Sequence, residues 1–405
     1  MVREAAHLGE VAADRKDLSA QALLHGSVEA LGNGGLELGC ALGERLERLA
    51  SSLESRVQRG PVGRGRGLAE TASGALERLR FHGLDASVRA GRPLRTDELD
   101  YDLPPELIAQ RPAERRDESR LLVYERGSAA LRHRRFRDVG EELDGSLVVL
   151  NDTRVVPARL RLRRPGGGGA ELLLLEPLGE GVWEALARPT RRLRAGMRLE
   201  DVELLEHLGD GLWHVRLRGE PGGETPLPPY ISEPLPDPER YQTVYAERPG
   251  SAAAPTAGLH FTRELLAELA VERVTLHVGL DTFRPIAAET LAGHRLHSER
   301  YEVEPAAWQR IRAARRVVAV GTTTARVLES LARGAPLAGR TDLFIVPGFD
   351  FLRVDALLTN FHLPRSTLLA LVMAFAGIEE TRRLYRVAIE ERYRFYSFGD
   401  AMLVL

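Results

Sequence analysis

Four apolar residues, Val317-Val318-Ala319-Val320, run directly into Gly321 and three threonines, Thr322, Thr323 and Thr324, at the start of a helix-like stretch that reaches about Leu331. A short strand that is apolar throughout is buried on both faces, as in a sheet covered by helices on each side. The same pattern fills the C-terminal half. Residues 264–269 read as helix, and 274–278, 343–346 and 356–358 as strands. Residues 367–376 read as a helix with Ser366 as N-cap and Gly377 as stop, 379–393 as another helix, and 402–405 as a last strand. Upstream, a short helix opens at Pro104-Pro105 and strands are expected at 121–124 and 146–150. Strand and helix in alternation predict an α/β fold, a mixed sheet with helices on both faces.

Between about 160 and 213 the grammar changes. Short alternating runs at 171–176, 182–186 and 213–217 are split by glycine and proline, which predicts a small β-barrel inserted into the α/β domain. The proline-rich stretch 221–238 would return the chain. The expected organisation is an α/β domain in two parts, 96–158 and 226–405, around an inserted β-barrel at 159–225. Residues 1–95 differ from all of this. They carry glycine clusters at 32–35 and 63–67 and a single aromatic residue, Phe81. So little large apolar surface offers little to offset ordering entropy, and a poorly ordered extension is expected.

Charge and cysteine content narrow the function classes. The formal net charge is −2, and Lys16 is the lone lysine among 56 basic residues. Arginine thus supplies the positive charge, and its planar fork grips phosphate and stacks on bases. One cysteine, Cys40, excludes an internal disulfide framework and a multi-cysteine zinc site. The apolar run 366–377 is too short to cross a bilayer, and no basic stretch followed by an apolar core opens the chain, so the cytoplasm is the expected location.

Ligands of open α/β sheets bind beyond the C-terminal ends of the strands. Gly321, Thr322 and Thr323 occupy such a place, where free N–H groups suit a carboxylate, a phosphate or ribose hydroxyls, although Thr322 also fits a plain helix cap. Two further strand ends carry histidines: Leu276-His277-Val278-Gly279-Leu280-Asp281-Thr282-Phe283-Arg284 and Leu358-Thr359-Asn360-Phe361-His362. A loop of small residues, Ala253 to Thr262, holds Thr256, Gly258, His260 and Phe261. There His260 would exchange protons near neutral pH and Phe261 would stack on a base. A tight packed turn is the alternative.

His294, His297 and Glu299 have no second pair at metal-ligand spacing, so no metal is expected. Ser251 and Ser298 lack the sharp small-residue turn of a hydrolase nucleophile, and no glycine-rich first turn suits a methyltransferase. Arginines cluster at 132–137, 159–164 and 188–198, a basic stripe suited to a phosphate backbone or simply a solvated face.

Several blocks carry a resemblance. They are Tyr101-Asp102-Leu103-Pro104-Pro105-Glu106-Leu107-Ile108-Ala109-Gln110, Asn151-Asp152-Thr153-Arg154-Val155-Val156-Pro157-Ala158-Arg159, Pro226-Leu227-Pro228-Pro229-Tyr230-Ile231 and Tyr241-Gln242-Thr243-Val244-Tyr245. Ala254-Pro255-Thr256-Ala257-Gly258-Leu259-His260-Phe261, the block from Asp355 to Pro364 and the block from Tyr393 to Met402 complete the set. In this order, over about three quarters of the chain, they resemble the S-adenosylmethionine:tRNA ribosyltransferase-isomerase family of queuosine biosynthesis. The chain departs from the family's pattern at Asp281, where glycine is usual, at Thr324, Ala325 and Arg365, and in two shorter links.

The resemblance implies an α/β domain with an inserted barrel. It also implies a tRNA substrate with a GUN-type anticodon whose wobble base is already 7-aminomethyl-7-deazaguanine. S-adenosylmethionine would be consumed as a ribosyl donor, with adenine and methionine leaving and no cofactor involved. A monomer with no membrane association is expected. Such a reaction needs a base to start attack and an acid to release adenine. His260 and His277 are the first candidates, with His297 and His362 behind them. Asp281, Glu299 and Asp400 are candidates for the sulfonium end. Gly321, Thr322 and Thr323 would hold a carboxylate or ribose, with Thr256, Gly258, Phe261, Thr282, Arg284 and Asn360 completing the substrate pocket. Arg154, Arg159, Arg161, Arg191 and Arg192 are the candidate tRNA contacts. The rival reading is a non-catalytic RNA-binding protein on the same fold.

Overall fold

A computed structural model of the protein describes residues 93–279 and 285–405. The extension expected over 1–95 therefore lies, up to residue 92, outside the described residues, as do Asp281, Thr282 and Arg284.

In chain order the strands are β1 (Arg120–Glu125), β2 (Ala130–Arg135), β3 (Leu147–Asn151), β4 (Thr153–Val155), β5 (Arg159–Arg163), β6 (Gly169–Gly179), β7 (Val182–Arg188), β8 (Arg198–Leu199), β9 (Val202–Gly209) and β10 (Leu212–Leu217). They continue with β11 (Arg248–Ser251), β12 (Ala270–Leu276), β13 (Glu299–Glu302), β14 (Val317–Val320), β15 (Ala338–Thr341), β16 (Ala356–Asn360) and β17 (Ala401–Val404). The α-helices are α1 (Val139–Glu142), α2 (Arg263–Ala267), α3 (Pro305–Ala313), α4 (Thr322–Ala332), α5 (Thr367–Ala376) and α6 (Ile378–Glu390).

Nine strands form one mixed sheet in the order β15-β13-β12-β3-β14-β16-β17-β1-β2. The central strands β12, β3, β14 and β16 run parallel. β17 runs antiparallel to β16 and parallel to β1. Because side chains alternate across a strand, each central strand feeds two cores. Val317, Ala319, Leu357 and Met402 pack with residues of α3 to α6. Val318, Val320, Leu358 and Leu403 pack with Phe136, Val139 and Leu143, joined by Leu265 and Leu266 of α2. Helices thus cover both faces, as the apolar strand runs require.

Strands β5 to β10 form a separate antiparallel sheet in the order β5-β6-β7-β10-β9-β8. It curls into a nearly closed barrel around Leu172, Leu174, Ala185, Ala187, Trp213 and Val215. Across the open seam, Arg163 N donates to Glu200 Oε1 at 2.9 Å. The chain leaves and re-enters the α/β part through β4 and β11, which pair parallel to each other.

Several elements differ from the sequence reading, which does not foresee β13 or α3. The strand expected at 343–346 lies earlier, at β15, while Leu343 is held in an irregular segment by Arg326 Nε on its carbonyl (3.0 Å) and by Thr341 Oγ1 on its N–H (3.2 Å). β12 ends at Leu276, so His277 stands just past the strand rather than within it. β2 is absent from the sequence-based expectation, because its arginines mask its alternation. Arg132 and Arg134 both pair with Glu142 and Arg132 also reaches Glu125, so part of this cluster is charge-compensated on an edge strand, while Arg135 donates to Glu118 O (2.8 Å). Among the described residues, no helix is long and apolar enough to cross a membrane.

Candidate active site

The C-terminal ends of β12, β3 and β14 meet at one buried amide. Asn151, fully buried, donates from Nδ2 to Leu276 O (3.0 Å) and Thr323 Oγ1 (3.3 Å). Its Oδ1 accepts from Leu276 N (3.0 Å) and Thr153 N (3.2 Å). The side chain thereby satisfies backbone groups left at the sheet end and fixes the start of α4 against the end of β12.

His277 follows directly. Its Nδ1 lies 2.9 Å from Thr153 Oγ1, and that hydroxyl can also donate to Arg248 O at 3.5 Å. With the hydroxyl proton on the carbonyl, Nδ1–H donates to threonine and Nε2 carries a lone pair, the form a general base requires. The ring packs on Gly250, where φ is +140° and an added Cβ would stand 3.0 Å from the imidazole. Glycine is required there by both conformation and space. Burial, reinforced by the nearby Arg300 guanidinium, holds the imidazole below its ordinary pKa.

His277 lines a cavity of about 520 Å³ between the barrel and the end of the large sheet. His297, Glu299, Thr323 and Arg326 share its α/β wall, and Glu176, Leu208, Asp210 and Leu212 form part of the barrel wall. Glu299 is buried; Oε1 accepts from Gly279 N at 2.8 Å and Oε2 pairs with Arg326. Arg326 is anchored by carbonyls of Leu343 and Thr341, at 3.0 and 3.1 Å. A bridge joins the two walls: Arg340 Nη1 holds both carboxylate oxygens of Glu176 at 2.6 and 2.7 Å. The same arginine donates to Ser298 Oγ (2.8 Å) and Ser298 O (2.7 Å), beside His297.

The expectation that four imidazoles share this hollow does not hold. His277 and His297 line it; His260 and His362 do not. His260 is buried in a second, smaller cleft with Nδ1 2.7 Å from Ser119 Oγ, and its ring stacks on Phe136. His362 is buried with Nε2 2.7 Å from Thr359 Oγ1, and its N–H donates to Tyr385. Burial pushes both imidazoles down to about 3.

Other predicted residues are displaced for equally plain reasons. Phe261 is fully buried edge-on to Phe136 and offers no face to a base. Gly258 yields to Tyr245, whose hydroxyl would clash with any Cβ there, rather than to a ligand. Thr256, at the start of the same 3-10 turn, does not line the cavity. Gly321 gives its N–H to Leu358 O (2.8 Å), and Thr322 is buried behind Thr323 without lining the cavity. Asp400 accepts from the backbone N–H groups of Arg120 (2.9 Å) and Arg394 (2.8 Å), a structural role. Asn360 donates to Tyr396 O (3.0 Å), with Oδ1 buried and unpartnered. Among the described residues no group of three or more metal-ligating side chains stands together.

The candidate tRNA arginines divide. Arg154 pairs with Glu239 at 2.5 Å and Arg161 with Glu224 at 3.1 Å, while Arg159 is half-buried over Leu227 O. Arg191 and Arg192 are exposed on the 3-10 turn Thr190–Arg192, and no carboxylate pairs with them among the described residues. That turn abuts the cavity rim. Thr190 Oγ1 would stand 3.2 Å from a Cβ on Gly211, in the β9–β10 hairpin whose Leu208, Asp210 and Leu212 line the hollow. Asn151, Thr153, Arg326 and Arg340 are site residues that the sequence reading misses. An amide directly after the apolar run 147–150 with a hydroxyl two residues on, and an arginine among Ala325, Val327 and Leu328 of α4, are the available signals.

Over residues 96–404 the chain matches the family described as Queuosine biosynthesis protein. The S-adenosylmethionine:tRNA ribosyltransferase-isomerase of Rubrobacter xylanophilus is 57% identical over 329 residues, covering 77% of this chain and 98% of that protein. The protein of the same name from Carboxydothermus hydrogenoformans is 50% identical over 338 residues, covering 77% of this chain and all (100%) of that one. A crystal structure of S-adenosylmethionine tRNA ribosyltransferase from Thermotoga maritima is 41% identical, covers 76% of this chain and 100% of that chain, and superposes with a TM-score of 0.45. By the extent of the family match and by identity to full-length relatives, the chain belongs to the queuosine biosynthesis family of S-adenosylmethionine:tRNA ribosyltransferase-isomerases.

Proposed function

We propose that this chain moves the ribosyl group of S-adenosylmethionine onto the aminomethyl nitrogen of a 7-aminomethyl-7-deazaguanine at the wobble position of a tRNA with a GUN-type anticodon. It then isomerises that group to the epoxycyclopentane of epoxyqueuosine, with release of adenine and methionine. S-adenosylmethionine is a consumed substrate, no cofactor takes part, and the chain acts as a monomer in the cytoplasm. The observation that carries this reading is the cavity of about 520 Å³, with two imidazoles and a buried carboxylate on its wall and exposed arginines beside its rim. Cavities of roughly 300–1,000 Å³ are the size that holds small molecules.

The residues divide the work as follows. His277, neutral near pH 7 through burial, takes the proton that starts the chemistry. His297 stands on the same wall as the candidate acid toward adenine. Glu299, aligned by Arg326 and Gly279 N, faces the sulfonium, and Thr323 receives a polar end of the substrate. Arg191 and Arg192 bind the RNA backbone while the base enters from the rim.

The test is adenine release. With S-adenosylmethionine alone the protein is expected to liberate none; with substrate tRNA, one adenine per ribosyl group transferred. Formation of S-adenosylhomocysteine in place of adenine, or tRNA binding with no product, contradicts the reading.

A further inference from the structure

The second cleft is lined by three guanidiniums. Arg116, Arg240 and Arg394 converge on it together with His260. None of the three arginines forms an ion pair among the described residues. Each is instead held by two backbone carbonyls: Arg116 by Leu259 and Glu239, Arg240 by Glu114 and Ala113, Arg394 by Arg111 and Phe398. Guanidiniums fixed in this way are pre-organised, so little side-chain entropy remains to be lost on binding. Among the described residues Arg240 Nε is buried at the cleft without a hydrogen-bond partner. Ser119 Oγ lies closer to His260 Nδ1 (2.7 Å) than to Arg116 O (3.3 Å). Donating to the nearer atom leaves the proton on Nε2. The Asn360 side chain beside the ring favours that same proton.

Size and position identify the anion. The enclosed space is about 20 Å³, enough for one oxygen atom and not for a nucleoside or an amino acid. The occupant therefore inserts one oxygen from outside while the rest of it stays on the surface. Asn360 ends β16 opposite Ala401, and Ala401 pairs Leu121 just after Ser119 and Arg120. The cleft therefore opens at the same end of the sheet as the cavity beyond β12 and β3. Strands spaced ~4.8 Å apart put the two on the order of 20 Å from each other, a separation of a few nucleotides.

We propose that Arg116, Arg240 and Arg394, beside His260, form a dedicated phosphate site that grips one backbone phosphate of the bound tRNA a few nucleotides from the target base. This inference rests on the tRNA-modifying reading and adds a second point of attachment, distinct from the arginines of the barrel.

The test is the salt dependence of tRNA binding by the full chain. Neutralising one phosphate contact is expected to reduce the slope of log Kd against log salt by about one and to weaken binding about tenfold at low salt. Replacing Arg116, Arg240 and Arg394 together by Gln is predicted to behave so, Arg240→Gln alone to give a clear part of that loss, and Arg240→Lys, which keeps the charge, to retain most of the slope. Arg116→Gln, on a different loop, gives an independent measurement should Arg240→Gln melt early. Both Gln variants with wild-type slope and affinity would overturn the proposal. Inorganic phosphate is the second probe. If it raises the melting temperature of the wild type while the Gln variants bind tRNA normally, the cleft takes a free anion and the proposal is again overturned. A wild type that binds no tRNA fails the functional reading itself, which adenine release tests separately.

Discussion

Asn151 Nδ2 stands 3.3 Å from Thr323 Oγ1, and through that contact one buried amide joins the strand end that carries His277 to the helix start that borders the cavity. Its removal strands the N–H and C=O of Leu276, each costing on the order of 1–3 kcal/mol when buried without a partner. Asn151→Ala is expected to lower unfolding stability by about 2–4 kcal/mol in urea titration. An unchanged midpoint would contradict the account of this junction.

His277 is expected to carry the proton abstraction. His277→Ala should reduce adenine release in the presence of tRNA by about 10²- to 10⁴-fold, with the fold intact by circular dichroism. A base works when deprotonated, and burial with Arg300 lowers the pKa of this imidazole. The ascending limb of the pH–rate profile therefore lies below the ordinary histidine range near 6.5. Arg300→Gln removes the second cause and should move that limb upward. A limb that stays in place would show that Arg300 does not act on His277.

Gly250 supplies the space for that ring. Gly250→Ala places a Cβ 3.0 Å from the imidazole at φ +140°, so activity is expected to fall steeply while binding of tRNA, measured by filter retention, changes little. Normal turnover would mean that the ring has room to shift without loss.

Much of this architecture is written in short stretches of the chain. The apolar runs around Val317 and Leu357 alternate into two cores, which is why helices on both faces can be read from them. Ser366 caps α5 through its hydroxyl on Leu369 N (3.1 Å), and Gly377 ends it at φ +95°. The site is less legible. His260 and His362 sit among small and polar neighbours just as His277 does, and local pattern does not say which of them faces a core. The barrel wall, with Glu176 bridged to Arg340 across 164 residues, depends on a long-range approach that no local spacing encodes.

The two buried imidazoles make a pH signature of their own. His260 and His362 are both pushed down to about 3 by burial, against roughly 6.5 in the unfolded chain. The stability tied to their neutral forms is complete above pH 6.5 and is lost as pH falls toward 3. Two protons taken up on unfolding give a slope of about 2.7 kcal/mol per pH unit in that window. His362→Gln should remove about half of it in urea titrations at pH 6 and 5. A variant with the wild-type slope would contradict the assignment.

Among the described residues no carboxylate pairs with Arg191 or Arg192, while Arg161 has Glu224 at 3.1 Å. Replacing Arg191 and Arg192 together by Gln should flatten the salt dependence of tRNA binding by about two in slope. Arg161→Gln should change it by less, because its charge is already compensated. Equal effects would remove the barrel rim from the RNA path.

On the proposed function, S-adenosylmethionine occupies the hollow between barrel and sheet. Histidine side-chain NMR of the protein, titrated with S-adenosylmethionine, tests it most directly. Shifted imidazole signals are expected for His277 and His297, with those of His260 and His362 unmoved. Shifts confined to His260 or His362, with His277 and His297 silent, would place the substrate elsewhere and contradict it.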